Sequence, residues 1–267
     1  MTSLILDVAR IKKVLKELGV DITGYKDDFV ARRVRARMLA LKVGSLEHYL
    51  DILKRNREEL RRLLDNLSIN VSEFFRDPWA WTRFRTALRS YIERKKLSVL
   101  RIWSAGCSHG EEPYTIAIIL LELMEETGRR FLARVYATDV DQDALRNASR
   151  GVYTLQSLRN IPPRLLSKWF VKLSPTTYMV KSEVRSLVRF RRHSLITDPP
   201  LMFMDAVVCR NVLIYFSRNV QRLVLRKIHR ALNPRGILFL GASEYIPENM
   251  SDLFRTVDAR ARIYEKV

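Results

Sequence analysis

The stretch Arg101-Ile-Trp-Ser-Ala-Gly-Cys-Ser-His-Gly-Glu-Glu-Pro-Tyr114 limits the fold of this chain more than any other. An apolar approach runs into a loop of small residues, and the loop runs into a helical pattern. An open α/β sheet presents a nucleotide-bearing ligand to the end of its first strand in this way. A second apolar run, Arg134-Val-Tyr-Ala-Thr-Asp139, ends in a carboxylate at about the distance where such folds bind ribose hydroxyls. Asp141 can cap the following helix, which leaves Asp139 for the ribose.

The remainder of the chain extends this alternation. Strands are expected at 98–105, 134–140, 205–209 and 236–241, and helices at 111–126, 141–149 and 218–232. That order reads as α/β with a doubly wound, Rossmann-like parallel sheet. Between about 152 and 192 the alternation breaks. Tyr178-Met-Val180 and Leu187-Val-Arg-Phe190 read there as strands of an inserted antiparallel β subdomain, the second leading into the sheet. Residues 1–75 instead show only helical stripes, carried by Ile11 and Leu15, Phe29 and Val34, Leu46 and Leu50, and Leu60 and Leu64. Gly19 and Gly44 read as stops and Ser45 as a cap. The expected organisation is a helical domain over 1–75 and an α/β domain over 76–267.

Composition narrows the class. No apolar run approaches the ~20 residues of a membrane span. The N-terminus lacks the basic and small-residue pattern of a signal peptide, and two cysteines, Cys107 and Cys209, cannot make a disulfide framework. A cytoplasmic protein is expected. The 48 Lys and Arg against 29 Asp and Glu give a formal charge of +19, which attracts nucleic acid or acidic protein alike.

The loop residues choose among cofactors. Gly106 and Gly110 allow a close backbone approach. Glu111 and Glu112 open the next helix, where acidic residues also compensate the helix dipole. They would repel a pyrophosphate, and the loop has neither G-x-G-x-x-G nor the P-loop lysine. A cationic, ribose-bearing cofactor without phosphate fits better, and S-adenosylmethionine (SAM) has that chemistry. Arg210, Asn211 and Tyr215 leave a buried strand, Asp205-Ala-Val-Val-Cys209, at the edge where open sheets bind ligands. Arg76 is the one cation in the stretch Asn70-Val-Ser-Glu-Phe-Phe-Arg76. No metal is expected. Cys107 and His109 lack a second ligand pair, and Asp139, Asp141 and Asp143 lack the glycine and glutamate of a calcium loop.

Four segments in register, Ser68–Asp77, Ile102–Tyr114, Ala137–Asp141 and Cys209–Phe216, resemble the chemotaxis receptor glutamate methyltransferases. The resemblance continues to Gly241-Ala-Ser-Glu244. It implies a SAM methyltransferase fold and methyl transfer from SAM to glutamates on the cytoplasmic helical domain of methyl-accepting receptors, with S-adenosylhomocysteine as product. It implies that Asn70, Ser72 and Arg76 approach the cofactor or the incoming glutamate, and that Glu112 and Gly106 hold the cofactor. Asp139 takes the ribose, Ser194 and Leu195 flank the adenine, Arg210 and Asn211 close the pocket, and Tyr215 stands near the transferred methyl. Arg76 and Tyr215 are the expected catalytic pair. Arg32, Arg33, Arg35 and Arg37, clustered on the second helix, suit docking to an acidic receptor helix. His109 and Ser194 depart from the family's usual threonine and asparagine. The insert is short, which implies binding without a receptor tether. A SAM-dependent RNA methyltransferase is the alternative that charge suggests, but no aromatics interleave with the basic residues to stack bases.

Overall fold

The computed structural model describes residues 7–67, 72–95 and 98–267. They group into two compact units. One takes in the described residues up to Leu67 together with Tyr215–Gln221, and the other those from Ser72 to Ile214 and Arg222–Val267.

The first unit contains α1 (Val8–Glu17), α2 (Asp27–Ala40), α3 (Leu46–Arg55) and α4 (Arg57–Leu67). Each places one apolar stripe inward, so that Ile11, Leu15, Phe29, Val30, Val34, Tyr49 and Leu63 share a core. Ser45 caps α3 by accepting the His48 N–H. α2 is closed by Lys42, at φ +57°, rather than by Gly44, since the left-handed position falls two residues earlier than the glycine suggests. Within this unit Phe216 makes an antiparallel bridge with Tyr25.

The second unit begins with α5 (Pro78–Lys95) and continues through β1 (Val99–Ala105), α6 (Glu111–Thr127), β2 (Leu132–Asp139) and α7 (Gln142–Arg150). β3 (Val152–Thr154), α8 (Pro163–Trp169), β4 (Phe170–Lys172), β5 (Thr177–Val180) and α9 (Ser182–Leu187) form the insert. β6 (Val188–Arg192), β7 (Met204–Cys209), α10 (Arg218–Ala231, which belongs to this unit from Arg222 on), β8 (Leu232–Leu240), β9 (Phe254–Asp258) and β10 (Ile263–Lys266) complete the chain. The large sheet runs β6-β2-β1-β7-β8-β10-β9, and β3-β5-β4 form a separate antiparallel sheet. Five strands of the large sheet are parallel, while β10 is antiparallel to β8 and to β9. Val188–Arg192 therefore belongs to the large sheet, and the connection before it is the short helix α9.

This order creates the site. From β1 the chain builds outward through β2 and β6, then crosses back to lay β7 on the other side of β1. The loops leaving β1 and β7 diverge at that reversal, where open α/β sheets hold ligands. Both strands are anchored by apolar burial. All six residues of β7 are buried, and α6 packs Ile116, Ala117, Ile118 and Leu120 into the same core.

Candidate active site

The loop after β1 folds back on the end of β2. The N–H groups of Gly106 and Cys107 both donate to the Thr138 carbonyl, at 2.8 and 2.9 Å. Gly106 has φ +83°, and a Cβ there would lie 2.6 Å from Val212 Cγ2. Gly110 has φ +94°, and its Cβ would meet Ala148 and Tyr153 at 2.8 and 2.9 Å. Both glycines are thus required by left-handed backbone and by neighbouring side chains. The space beside them is occupied by protein.

Asp139 ends β2. One carboxylate oxygen accepts the Ser108 N–H at 2.8 Å, and the other accepts the Asp141 N–H at 3.0 Å. Asp141 itself caps α7, accepting from Asp143 and Ala144. A carboxylate offers about four lone-pair sites, so Asp139 retains capacity to accept a hydroxyl beyond these backbone donors. The Asp139 carbonyl accepts the His193 N–H at 2.9 Å, which fixes Ser194 and Leu195 close to the same strand end. Leu195 is buried. Ser194 is committed to its own turn, since its Oγ accepts the Thr197 N–H and its N–H donates to Asp198 Oδ2.

Three carboxylates at these strand ends hold protons more tightly than usual. Burial pushes Glu112 up to about 7, against a hydrogen bond from Ser104 Oγ at 2.7 Å and the nearby charges of Arg210 and Arg76. Burial also raises Glu111 and Asp139. Ser72 hydrogen-bonds Glu111, yet Glu111 Oε2 is buried with no hydrogen-bond partner. Asn211 Oδ1 is likewise buried and unpartnered. Desolvated anions and orphaned acceptors need a cation or a donor. A SAM molecule carries a sulfonium, an ammonium and two ribose hydroxyls, so these residues fit it.

Arg210 and Glu244 organise the site in ways the sequence alone does not show. Arg210, expected to close the pocket, clamps the strap before α5. Its guanidinium donates to the Arg76 carbonyl at 2.8 Å and to Asp77 Oδ2 at 2.7 Å, and lies over the Phe239 ring at 4.7 Å. It fixes a strap in which Phe75 and Asp77 both adopt left-handed backbone, at φ +51° and +59°. Asp77, the residue before α5, thereby spends its carboxylate on Arg210. Glu244 is buried and accepts four backbone N–H groups. Val212 and Leu213 bind Oε1 at 2.8 and 2.7 Å, and Asn211 and Gly241 bind Oε2 at 2.9 and 2.7 Å. This nest holds Asn211 at φ +60°. The only prior signal for Glu244 was its place in Gly241-Ala-Ser-Glu244.

Asn70 lies outside the described residues. Tyr215 belongs to the first unit, where its ring packs 5.0 Å from Phe29. Of the four arginines on α2, Arg32 and Arg35 are exposed. Arg33 is half-buried, with its guanidinium 5.4 Å from the Phe29 ring. Arg37 turns inward. It makes two hydrogen bonds, of 2.9 and 2.6 Å, to the buried Glu59, which also accepts from Tyr49. Leaving Glu59 unpaired would be costly, so the Arg37 guanidinium is committed to Glu59.

Residues 70–263 match the family described as CheR methyltransferase, SAM binding domain, and residues 9–68 match CheR methyltransferase, all-alpha domain. The chain is 33% identical over 233 residues to the chemotaxis protein methyltransferase of Listeria innocua, covering 87% of each chain. It is 31% identical over 257 residues to that of Escherichia coli, covering 93% of this chain and 86% of the other. An uncharacterized 104.1 kDa protein of Rhodobacter capsulatus is 35% identical over 261 residues, which is 97% of this chain but 27% of that relative. The chain belongs to the CheR methyltransferase family.

Proposed function

We propose that the chain transfers the methyl group of SAM to glutamate side chains on the cytoplasmic helical domain of chemotaxis receptors, leaving S-adenosylhomocysteine. The observation that carries this reading is the set of proton-hungry carboxylates, Glu111, Glu112 and Asp139, around the end of β1 and β2. A cationic donor relieves their desolvation, and a phosphate-bearing one would aggravate it. The family match favours this reading over RNA methylation.

SAM, when bound, supplies an electrophilic methyl group and a sulfur that leaves as a neutral thioether. The protein's residues bind and orient. Asp139 holds the ribose hydroxyls, Glu112 provides counter-charge, and Ser194 and Leu195 border the adenine. Asn211 Oδ1 accepts a donor from the cofactor. A receptor glutamate has an ordinary pKa near ~4.3 and arrives ionised at pH 7, so no general base is needed. Arg76 orients that carboxylate, and Arg210 holds the Arg76 backbone in place. Catalysis is then positioning and exclusion of water.

The test is to incubate labelled SAM with a receptor cytoplasmic fragment and then treat the product with base. A carboxyl methyl ester releases its label, and mutation of the acceptor glutamates abolishes labelling. A base-stable label, or label found only on RNA, overturns the reading.

A further inference from the structure

The edge of the large sheet opposite these carboxylates carries a second feature. β1, β2 and β7 are parallel neighbours, so their first residues share one edge. Val99 opens β1 and is the register partner of Leu132, which opens β2. β7 pairs with β1 from Ile102↔Ala206 onward, and Phe203 lies in the bend just before β7, at the same edge. All are apolar and in water. Leu132 is 74% exposed, Phe203 67%, Met202 45% and Val99 38%. Phe203 also holds φ +63°, a costly conformation for a bulky residue that gains little packing from it.

Positive charge borders this row. Arg101 on β1 and Arg130 just before β2 are exposed, as is Arg235 near the start of β8. Two neighbouring carboxylates are inside. Asp205 is buried and accepts from Tyr91, Asn233 and the Arg101 N–H, and Glu265 is buried among Arg94, Arg235 and Arg255. The edge therefore presents apolar tips with Arg101 and Arg130 outward, while the exposed carboxylates at the ends of α5 and α6, Glu93, Glu125 and Glu126, are paired with Arg89, Lys168 and Arg85.

We propose that this edge docks reversibly on an anionic lipid surface. Phe203, Met202, Val99 and Leu132 would enter the headgroup boundary, and the arginines would meet lipid phosphates. No helix among the described residues is long and apolar enough to cross a membrane, so the contact is interfacial. A second copy is a poor occupant, because each chain carries a formal charge of +19 and would set cations against cations. Apolar tips on separate strand ends, flanked by Arg101 and Arg130, match a lipid interface in both charge and polarity. Docking there leaves the opposite edge, with Asp139 and Glu112, open.

The experiment is co-sedimentation of the whole chain with vesicles of phosphatidylcholine alone, and of phosphatidylcholine and phosphatidylglycerol in equal parts. Binding is expected only to the mixed vesicles and should weaken as salt rises. Phe203→Ala should weaken it about tenfold, the scale for withdrawing an aromatic side chain from an apolar phase. Arg101→Ala should cost about fivefold. Leu132→Ala provides a second apolar variant in case the first perturbs folding, which thermal unfolding checks. Leu173→Ala, which removes an exposed leucine just after β4, away from this edge, should change nothing. Equal binding to neutral vesicles, no binding to either, or an equal loss with Leu173→Ala overturns the proposal. So does a result in which Phe203→Ala leaves vesicle binding intact but weakens binding to an acidic receptor fragment, since the edge would then face protein.

Discussion

Replacing Glu112 by Gln should stabilise the unliganded protein and weaken SAM binding, two effects of opposite sign from one atom change. In the fold Glu112 is raised from an ordinary 4.5 to about 7, with burial as the main cause. Holding that carboxylate ionised above pH 7 costs about 3 kcal/mol at the usual 1.36 kcal/mol for each unit. Residual solvent contact screens part of this, and about 2 kcal/mol is the expected net. Gln keeps a carbonyl oxygen for the Ser104 hydroxyl, so the 2.7 Å hydrogen bond survives the change. The sign follows from linkage. The native state binds the extra proton between pH 4.5 and 7, so wild-type stability falls as pH rises through that window. The gain from Gln should be full at pH 8 and absent below pH 4.5. For a unit of this size it amounts to about 4–8 °C in Tm at pH 8. Loss of the counter-charge should weaken SAM by about ten- to a hundredfold, the range for a hydrogen bond to a charged group. Scanning calorimetry at pH 8 and pH 4.5, with titration calorimetry of SAM, measures both. An equal stabilisation at the two pH values would refute the burial argument. Unchanged SAM affinity would remove Glu112 from the cofactor site.

Three further outcomes can be checked. Arg76→Ala should reduce methyl transfer far more than SAM affinity, and an equal loss of both would deny it a role toward the acceptor. Glu244→Gln should cost about 2–4 kcal/mol in urea unfolding, because one of the two acceptor oxygens serving four backbone donors becomes an amide donor. A cost under half a kcal/mol would mean the nest does not hold the loop. Gly106→Ala should destabilise by about 2 kcal/mol through its left-handed backbone and the clash with Val212. Adding Val212→Ala should recover only part of that loss; full recovery would show that backbone strain contributes nothing.

The elements most legible in the sequence are those whose local pattern and tertiary environment agree. β7 reads as a buried strand because every residue from Met204 to Cys209 is buried, and α7 reads as a helix because Asp141 caps it and its apolar residues fall on one face. The strands that go unread lack such agreement. Ile263, Tyr264 and Glu265 of β10 are all buried although one is charged, so neither alternation nor apolarity marks them. Glu265 is tolerated there because three arginines distant in sequence reach it. Likewise α9 is only six residues long, and its one fully buried residue, Val184, gives no periodicity to read.

The site divides in the same way. Residues that would touch the cofactor announce themselves, because a carboxylate at the end of an apolar strand, such as Asp139, has few other uses. Residues that hold the site's backbone do not. Arg210 looks like a ligand-facing cation, yet its two terminal nitrogens go to a carbonyl and a carboxylate and its plane lies over two aromatic rings, one of them Phe239 on β8, which leaves only Nε without a partner. Glu244 looks like a surface acid in a turn, yet it gathers donors from its own loop, at Gly241, and from the loop after β7, at Asn211, Val212 and Leu213. Neither role has a local signature, since the partners meet only once β7 and β8 lie side by side. The strap carrying Arg76 and the loop carrying Asn211 both adopt left-handed backbone without glycine, at Phe75, Asp77 and Asn211. Such conformations cost about 1–3 kcal/mol each and persist only where surrounding contacts impose them. Arg210 and Glu244 impose them here, so the geometry offered to SAM depends on two buried charges that are not needed to touch it.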